Sequence, residues 1–146
     1  MTDKTPVPTE EAEQRSLMQW VAYSRGSCPE LIKLYHIPNE GKRTQLQGAR
    51  LKATGLRPGI PDLCLPVSRG GYHGLYIELK RARGSYPTPE QISWLETLDG
   101  EGYAACWCQG WEEAASVLLD YCAGLKTKYT ARQCRGGAWH AGRRLP

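Results

Sequence analysis

Residues 59–84 read GIPDLCLPVSRGGYHGLYIELKRARG. Two apolar runs of strand length, about 61–67 and 73–80, flank a glycine-containing turn, SRGG. Runs this apolar belong in a core, yet they carry three charges: Asp62 at the start of the first, Glu78 and Lys80 at the end of the second. Strand side chains alternate between faces. Glu78 and Lys80 therefore project together with Tyr76, and Leu75, Ile77 and Leu79 point the other way, into the core. A tight turn pairs the two strands antiparallel. That pairing brings Asp62 to the end that holds Glu78 and Lys80, and three charged groups converge.

Two neighbouring carboxylates repel unless something neutralises them. A divalent cation does so, and hard oxygen donors favour Mg²⁺ or Mn²⁺. Water bound to such an ion has a lowered pKa and becomes a nucleophile. A nearby lysine orients that water or balances charge developing on a phosphate. This is equipment for metal-assisted phosphodiester hydrolysis. The competing reading is a surface hairpin with an ordinary Glu/Lys pair on its solvated face, since E-x-K alone is common. The Pro61-Asp62 pair at a strand start, with a gap of fifteen residues between Asp62 and Glu78, is the more specific part.

The remaining chain supplies the scaffold. The spacing of Leu17, Met18, Trp20 and Val21 predicts a helix over about 10–23, with Thr9 as N-cap. LIKLYHI (31–37) reads as a strand, PNEGKR (38–43) as a loop, and TQLQGARLKAT (44–54) as a short helix ended by Gly55. Thr88, Pro89 and Gln91 form a helix start of the capping-box type, with Ile92, Leu95 and Leu98 as its buried stripe and Gly100 as its stop. YAACWC (103–108) is a further strand, and WEEAASVLLDYC (111–122) a final amphipathic helix. The order α-β-α-β-β-α-β-α predicts an α/β fold, a mixed central sheet with helices on its faces.

A chain of 146 residues is the size of one domain, expected over 10–122. No apolar run is long enough to span a membrane. The polar, proline-containing N-terminus has no secretory signal, so an intracellular, cytoplasmic protein is expected. The six cysteines form no C-x-x-C pair, and several sit in apolar runs. They read as reduced core thiols rather than a zinc site. After Asp120 the chain has no acidic residue but six cations: Lys126, Lys128, Arg132, Arg135, Arg143 and Arg144. Residues 123–146 thus form a basic tail, either a phosphate contact or a solvated, partly disordered end.

Pro61-Asp62, Glu78 and Lys80 match the PD-(D/E)xK pattern of a nuclease superfamily. The segments IPNEGKR, LKATGLRPGIPDLCLPV, GYHGLYIELKRARG, TPEQISWLETLDGEGYAACWCQGWEEA and LLDY resemble, in order, the VRR-NUC (virus-type replication-repair nuclease) family. The resemblance implies a restriction-endonuclease-like core and Mg²⁺- or Mn²⁺-dependent cleavage of DNA. Small stand-alone members are structure-specific endonucleases that act as homodimers on branched DNA such as four-way junctions, and larger relatives serve DNA repair. By matching position, Asp62 and Glu78 are implied metal ligands, with the Leu79 carbonyl between them, and Lys80 the catalytic lysine. The family also uses a glutamate in the first helix. Glu10, Glu11 and Glu13 all qualify, and Glu13 is the assignment made here. Gln91 matches a further position near the lysine, although its capping-box role explains it equally. Asn39 is a weaker candidate. Lys42, Arg43, Arg57, Arg81 and Arg83 are expected phosphate contacts, and Tyr72 and His73 stacking or hydrogen-bonding groups. Two other readings stand beside this one. A catalytically silent DNA-binding module on the same fold would lack a motif residue, and a sequence-specific restriction-type enzyme would need a larger recognition region.

Overall fold

The computed structural model describes residues 5–38 and 44–124. Asn39, Lys42, Arg43, Cys134 and the six cations of the basic tail lie outside the described residues.

Helix α1 spans Glu10–Ser24, and the Thr9 hydroxyl caps it by accepting the Ala12 N–H at 3.1 Å. The strand expected over 31–37 is replaced by two shorter elements. Pro29–Lys33 is a 3-10 helix, and strand β1 is only Tyr35–His36. Proline fits a first helical turn, and Leu31 and Leu34 are both buried while Ile32 is exposed. A period of three is the 3-10 repeat, not the alternation of a strand. Helix α2, Gln45–Ala53, starts at a Thr44–Gln47 capping box and buries none of its residues.

Strands β2 (Leu63–Leu65) and β3 (Leu75–Lys80) pair antiparallel, with Leu63 opposite Ile77 and Leu65 opposite Leu75. The connection over 66–74 is longer than a tight hairpin loop. The turn closes within it, where Arg69 bridges Tyr72 and Gly70 and Gly71 both take positive φ. Helix α3 (Pro89–Gly100) then crosses to β4 (Ala104–Gln109), parallel to β3, and α4 (Trp111–Cys122) follows. The sheet order is β1-β2-β3-β4.

Alternation along the strands divides the core. Leu63, Leu65, Leu75, Ile77, Leu79, Cys106 and Cys108 pack with Leu17 and Val21 of α1 and with Val117, Leu118 and Tyr121 of α4. Ala105 and Trp107 face the other way, against Leu95, Ile92 and Leu98 of α3. Glu78 and Lys80 are thus held in a strand whose alternating apolar residues, Leu75, Ile77 and Leu79, are buried. Each such leucine contributes roughly 1.5–3 kcal/mol, which offsets part of the cost of burying the charged neighbours. Cys28, Cys64, Cys106, Cys108 and Cys122 are all free thiols. Among the described residues, no helix is long and apolar enough to cross a membrane.

Candidate active site

The register that sets Leu63 opposite Ile77 carries Asp62 to Glu78 and beyond. The Asp62 Oδ2 accepts the Leu79 N–H at 2.8 Å, so the carboxylate is anchored between the two charged residues of β3. Lys80 Nζ lies 3.3 Å from Glu78 Oε1 and 3.6 Å from Glu10 Oε1. The Ser85 hydroxyl donates to the same Glu10 oxygen at 3.1 Å. Asp62 and Leu79, with Glu10, Gln14, Met18 and His36, line an open cleft of about 690 Å³.

Gln91 makes two contacts with opposite ends of one amide. Its Oε1 accepts the Thr88 N–H at 2.8 Å, which closes the capping box of α3. Its Nε2 donates to Glu78 Oε1 at 2.9 Å. The loop before the motif fixes this geometry. Trp94 Nε1 donates to the Pro58 carbonyl at 3.0 Å, and Gly59 lies so close to α3 that a Cβ there would stand 2.8 Å from the Glu90 carbonyl group. With φ at +88°, that position takes glycine on both counts.

The electrostatics follow from burial. Glu78 has 0% exposure, and desolvation first, then the Asp62 charge, pushes its carboxyl up to about 9. Burial alone would pull Lys80 down. Glu78, Glu10 and Asp62 outweigh it and hold the ammonium above its ordinary value. The site is therefore short of positive charge: the carboxyl groups of Asp62, Glu78 and Glu10 all act on the one ammonium of Lys80. Two buried polar atoms lack a hydrogen-bond partner among the described residues, Glu78 Oε2 and Trp107 Nε1. They belong to register neighbours on β3 and β4. A buried acceptor left unmet beside a second carboxylate suits a hard cation, so the donor set fits Mg²⁺ or Mn²⁺.

The three first-turn glutamates of α1 separate by helical position. Glu13, Leu17 and Val21 are spaced four apart and form the buried stripe. The Glu13 Oε2 accepts the Trp111 N–H at 2.6 Å, and so caps α4, whose own N-cap, Gly110, has no side chain to do it. Glu10, Gln14 and Met18 form the adjacent stripe, which faces the cleft. Glu11 pairs with Arg15 at 2.8 Å on the surface. The structure thus places Glu10, not Glu13, beside Lys80. The signal was present in the sequence, because the Leu17/Val21 stripe extends back to Glu13 and leaves Glu10 on the next face.

Two of the expected phosphate contacts are engaged elsewhere. Arg81 donates to the Pro8 and Val7 carbonyls, and Arg83 to the Thr5 carbonyl, so both strap the segment that leads into Glu10. Arg57 is exposed. Tyr72 packs against Tyr121 and His73 against Tyr103. Both precede β3, whereas Lys80 ends it, which sets His73 about 20 Å from the lysine.

A family model described as the VRR-NUC domain matches residues 8–112. A solved structure of a VRR_NUC domain protein superposes with a TM-score of 0.71 at 28% identity, covering 96% of this chain and 100% of that one. No curated protein matches the chain.

Proposed function

The chain belongs to the VRR-NUC domain family, a premise from which we propose a divalent-metal-dependent endonuclease that hydrolyses DNA phosphodiester bonds, preferentially in branched DNA such as four-way junctions. The family implies a nuclease-type fold and DNA as substrate. The observation that carries the catalytic reading is the convergence of Asp62, Glu78 and Lys80, with Gln91 and Glu10, at one end of β3. A silent DNA-binding module has no need of a buried, charge-deficient site. Symmetric cutting of a junction takes two active sites, which makes a homodimer the fitting assembly.

Asp62, Glu78, the Leu79 carbonyl and Glu10 would hold the cation, with Glu10 replacing Glu13 as the helix carboxylate. Bound there, the cation supplies a Lewis acid for the phosphate and a water of lowered pKa. The protein's own groups do the rest. Leu79 N–H fixes the rotamer of Asp62, and Gln91 Nε2 occupies Glu78 Oε1 and leaves Oε2 unpartnered. Lys80, kept protonated by its carboxylate neighbours, offers positive charge to a phosphate oxygen as negative charge builds on it.

Four-way junction, flap and linear duplex DNA, each incubated with the protein and Mg²⁺ or Mn²⁺, test the proposal. Cleavage is expected to require the metal and to favour the branched substrates. Equal cutting in excess chelator removes the metal mechanism, and a preference for linear duplex removes the branched-DNA assignment.

The two glutamates predict opposite phenotypes. Glu10→Gln should lower cleavage by about 10²-fold with little change in thermal stability. Glu13→Gln should cost about 1.5–3 kcal/mol of stability, since it weakens a charged hydrogen bond at a helix start, and leave the folded protein's cleavage nearly intact. Melting curves and single-turnover cleavage of both variants separate the roles, and the reverse pattern restores Glu13 to the site.

A further inference from the structure

Outside the cleft, a group of three side chains has ligand atoms close enough to share a metal ion. The Sγ atoms of Cys28 and Cys122 and a carboxylate oxygen of Glu30 are all within 4.8 Å of one another. Cys28 follows the far end of α1 from Glu10, so some 20 Å of helix separates this cluster from the Glu10 end of the cleft. Cys122 closes α4, and Glu30 sits in the 3-10 helix. The 93 residues between the cysteines hide the pairing from any spacing rule.

Three features distinguish the cluster from incidental core thiols. Cys28 Sγ lies 3.4 Å from Glu30 Oε2, and the other oxygen of that carboxylate takes Arg69 Nη2 at 2.9 Å. The arginine thereby orients Glu30 as an outer partner orients a metal ligand. Separations of this size between sulfur and oxygen fit ligand bonds of roughly 2.0–2.3 Å around a tetrahedral ion. Two thiols also select against hard cations, which separates this set from the all-oxygen set in the cleft.

We propose that Cys28, Cys122 and Glu30 form a second metal site, for a thiophilic divalent cation of the Zn²⁺ class, with water in its fourth position. Binding ionises both thiols and releases their two protons to solvent, with no change in oxidation state. The ion ties the end of α4 to the turn after α1. It leaves the hydrolytic cleft to Mg²⁺ or Mn²⁺.

Metal-stripped, reduced full-length protein titrated with Co²⁺, an optical stand-in for Zn²⁺, tests this. Thiolate-to-cobalt absorption should saturate at one ion per chain, persist in excess Mg²⁺ and in Asp62→Asn, and disappear on addition of Zn²⁺. Cys122→Ser and Cys28→Ala should each lose it, and Glu30→Gln should weaken binding about tenfold or more. Cys122 is only partly buried, so its variant keeps the test open if the Cys28 variant fails to fold. Zn²⁺ should raise the melting temperature of the wild type and not of Cys122→Ser. Absence of the absorption from the reduced wild type overturns the site. So does its undiminished persistence in Cys122→Ser, which would place the thiolates elsewhere.

Discussion

Asp62→Asn and Lys80→Met should each reduce DNA cleavage by at least about 10²–10³-fold while the protein remains folded. The asparagine keeps an oxygen to accept the Leu79 N–H, so the 2.8 Å hydrogen bond that anchors the strand end survives. Alanine would strand that N–H and cost about 1–3 kcal/mol, mixing a folding defect with a chemical one. Methionine likewise preserves the buried stem of Lys80 and removes only the charge that faces Glu78 and Glu10. Initial cleavage rates on a preferred branched substrate, measured beside circular dichroism, decide the matter. Wild-type rates in either folded variant remove the residue from the catalytic assignment.

Glu78 carries the second large effect, on stability rather than rate. Its carboxyl is raised in the fold from an ordinary value of 4.5 to about 9. The folded chain therefore binds a proton that the unfolded chain has lost. Stability from this group is complete below about pH 4.5 and declines as pH rises through about 9. At 1.36 kcal/mol per unit the loss is roughly 3 kcal/mol by pH 7. The upward shift of Lys80 acts only above its ordinary 10.5, outside this window. Glu78→Gln removes the ionisation and keeps the shape. In chelator, denaturant unfolding should show the wild type losing stability relative to Glu78→Gln from pH 5 to 9. Added Mg²⁺ or Mn²⁺ should recover the wild type alone. A pH-independent difference between the two proteins would mean that Glu78 ionises in the fold without penalty.

The charges of the opening segment were legible because strand alternation is a strict rule. Tyr76, Glu78 and Lys80 alternate with the core residues Leu75, Ile77 and Leu79 as expected, and the antiparallel pairing delivers Asp62 to their end of the strand. The helices, with their threonine caps, fall within a residue or so of their expected limits. Residues 31–37 misled because apolar composition does not distinguish a strand from a 3-10 turn, and only the burial of Leu31 and Leu34 does. Glu13 misled differently. A carboxylate in a first turn suits the helix dipole wherever it points, and its engagement with α4 depends on a contact 98 residues away. The Cys28–Glu30–Cys122 cluster had no local signature at all.

The two-ended amide of Gln91 narrows what that position tolerates. A helix start needs only an acceptor there, and glutamate serves a capping box as well as glutamine does. In this fold the second contact forbids the exchange. Glutamate would set an oxygen against Glu78 Oε1 where Nε2 now donates, a fourth carboxyl group in a pocket already short of positive charge. Two residues that are synonyms in the grammar of helix starts are thus opposites here, and the amide has a single permitted orientation.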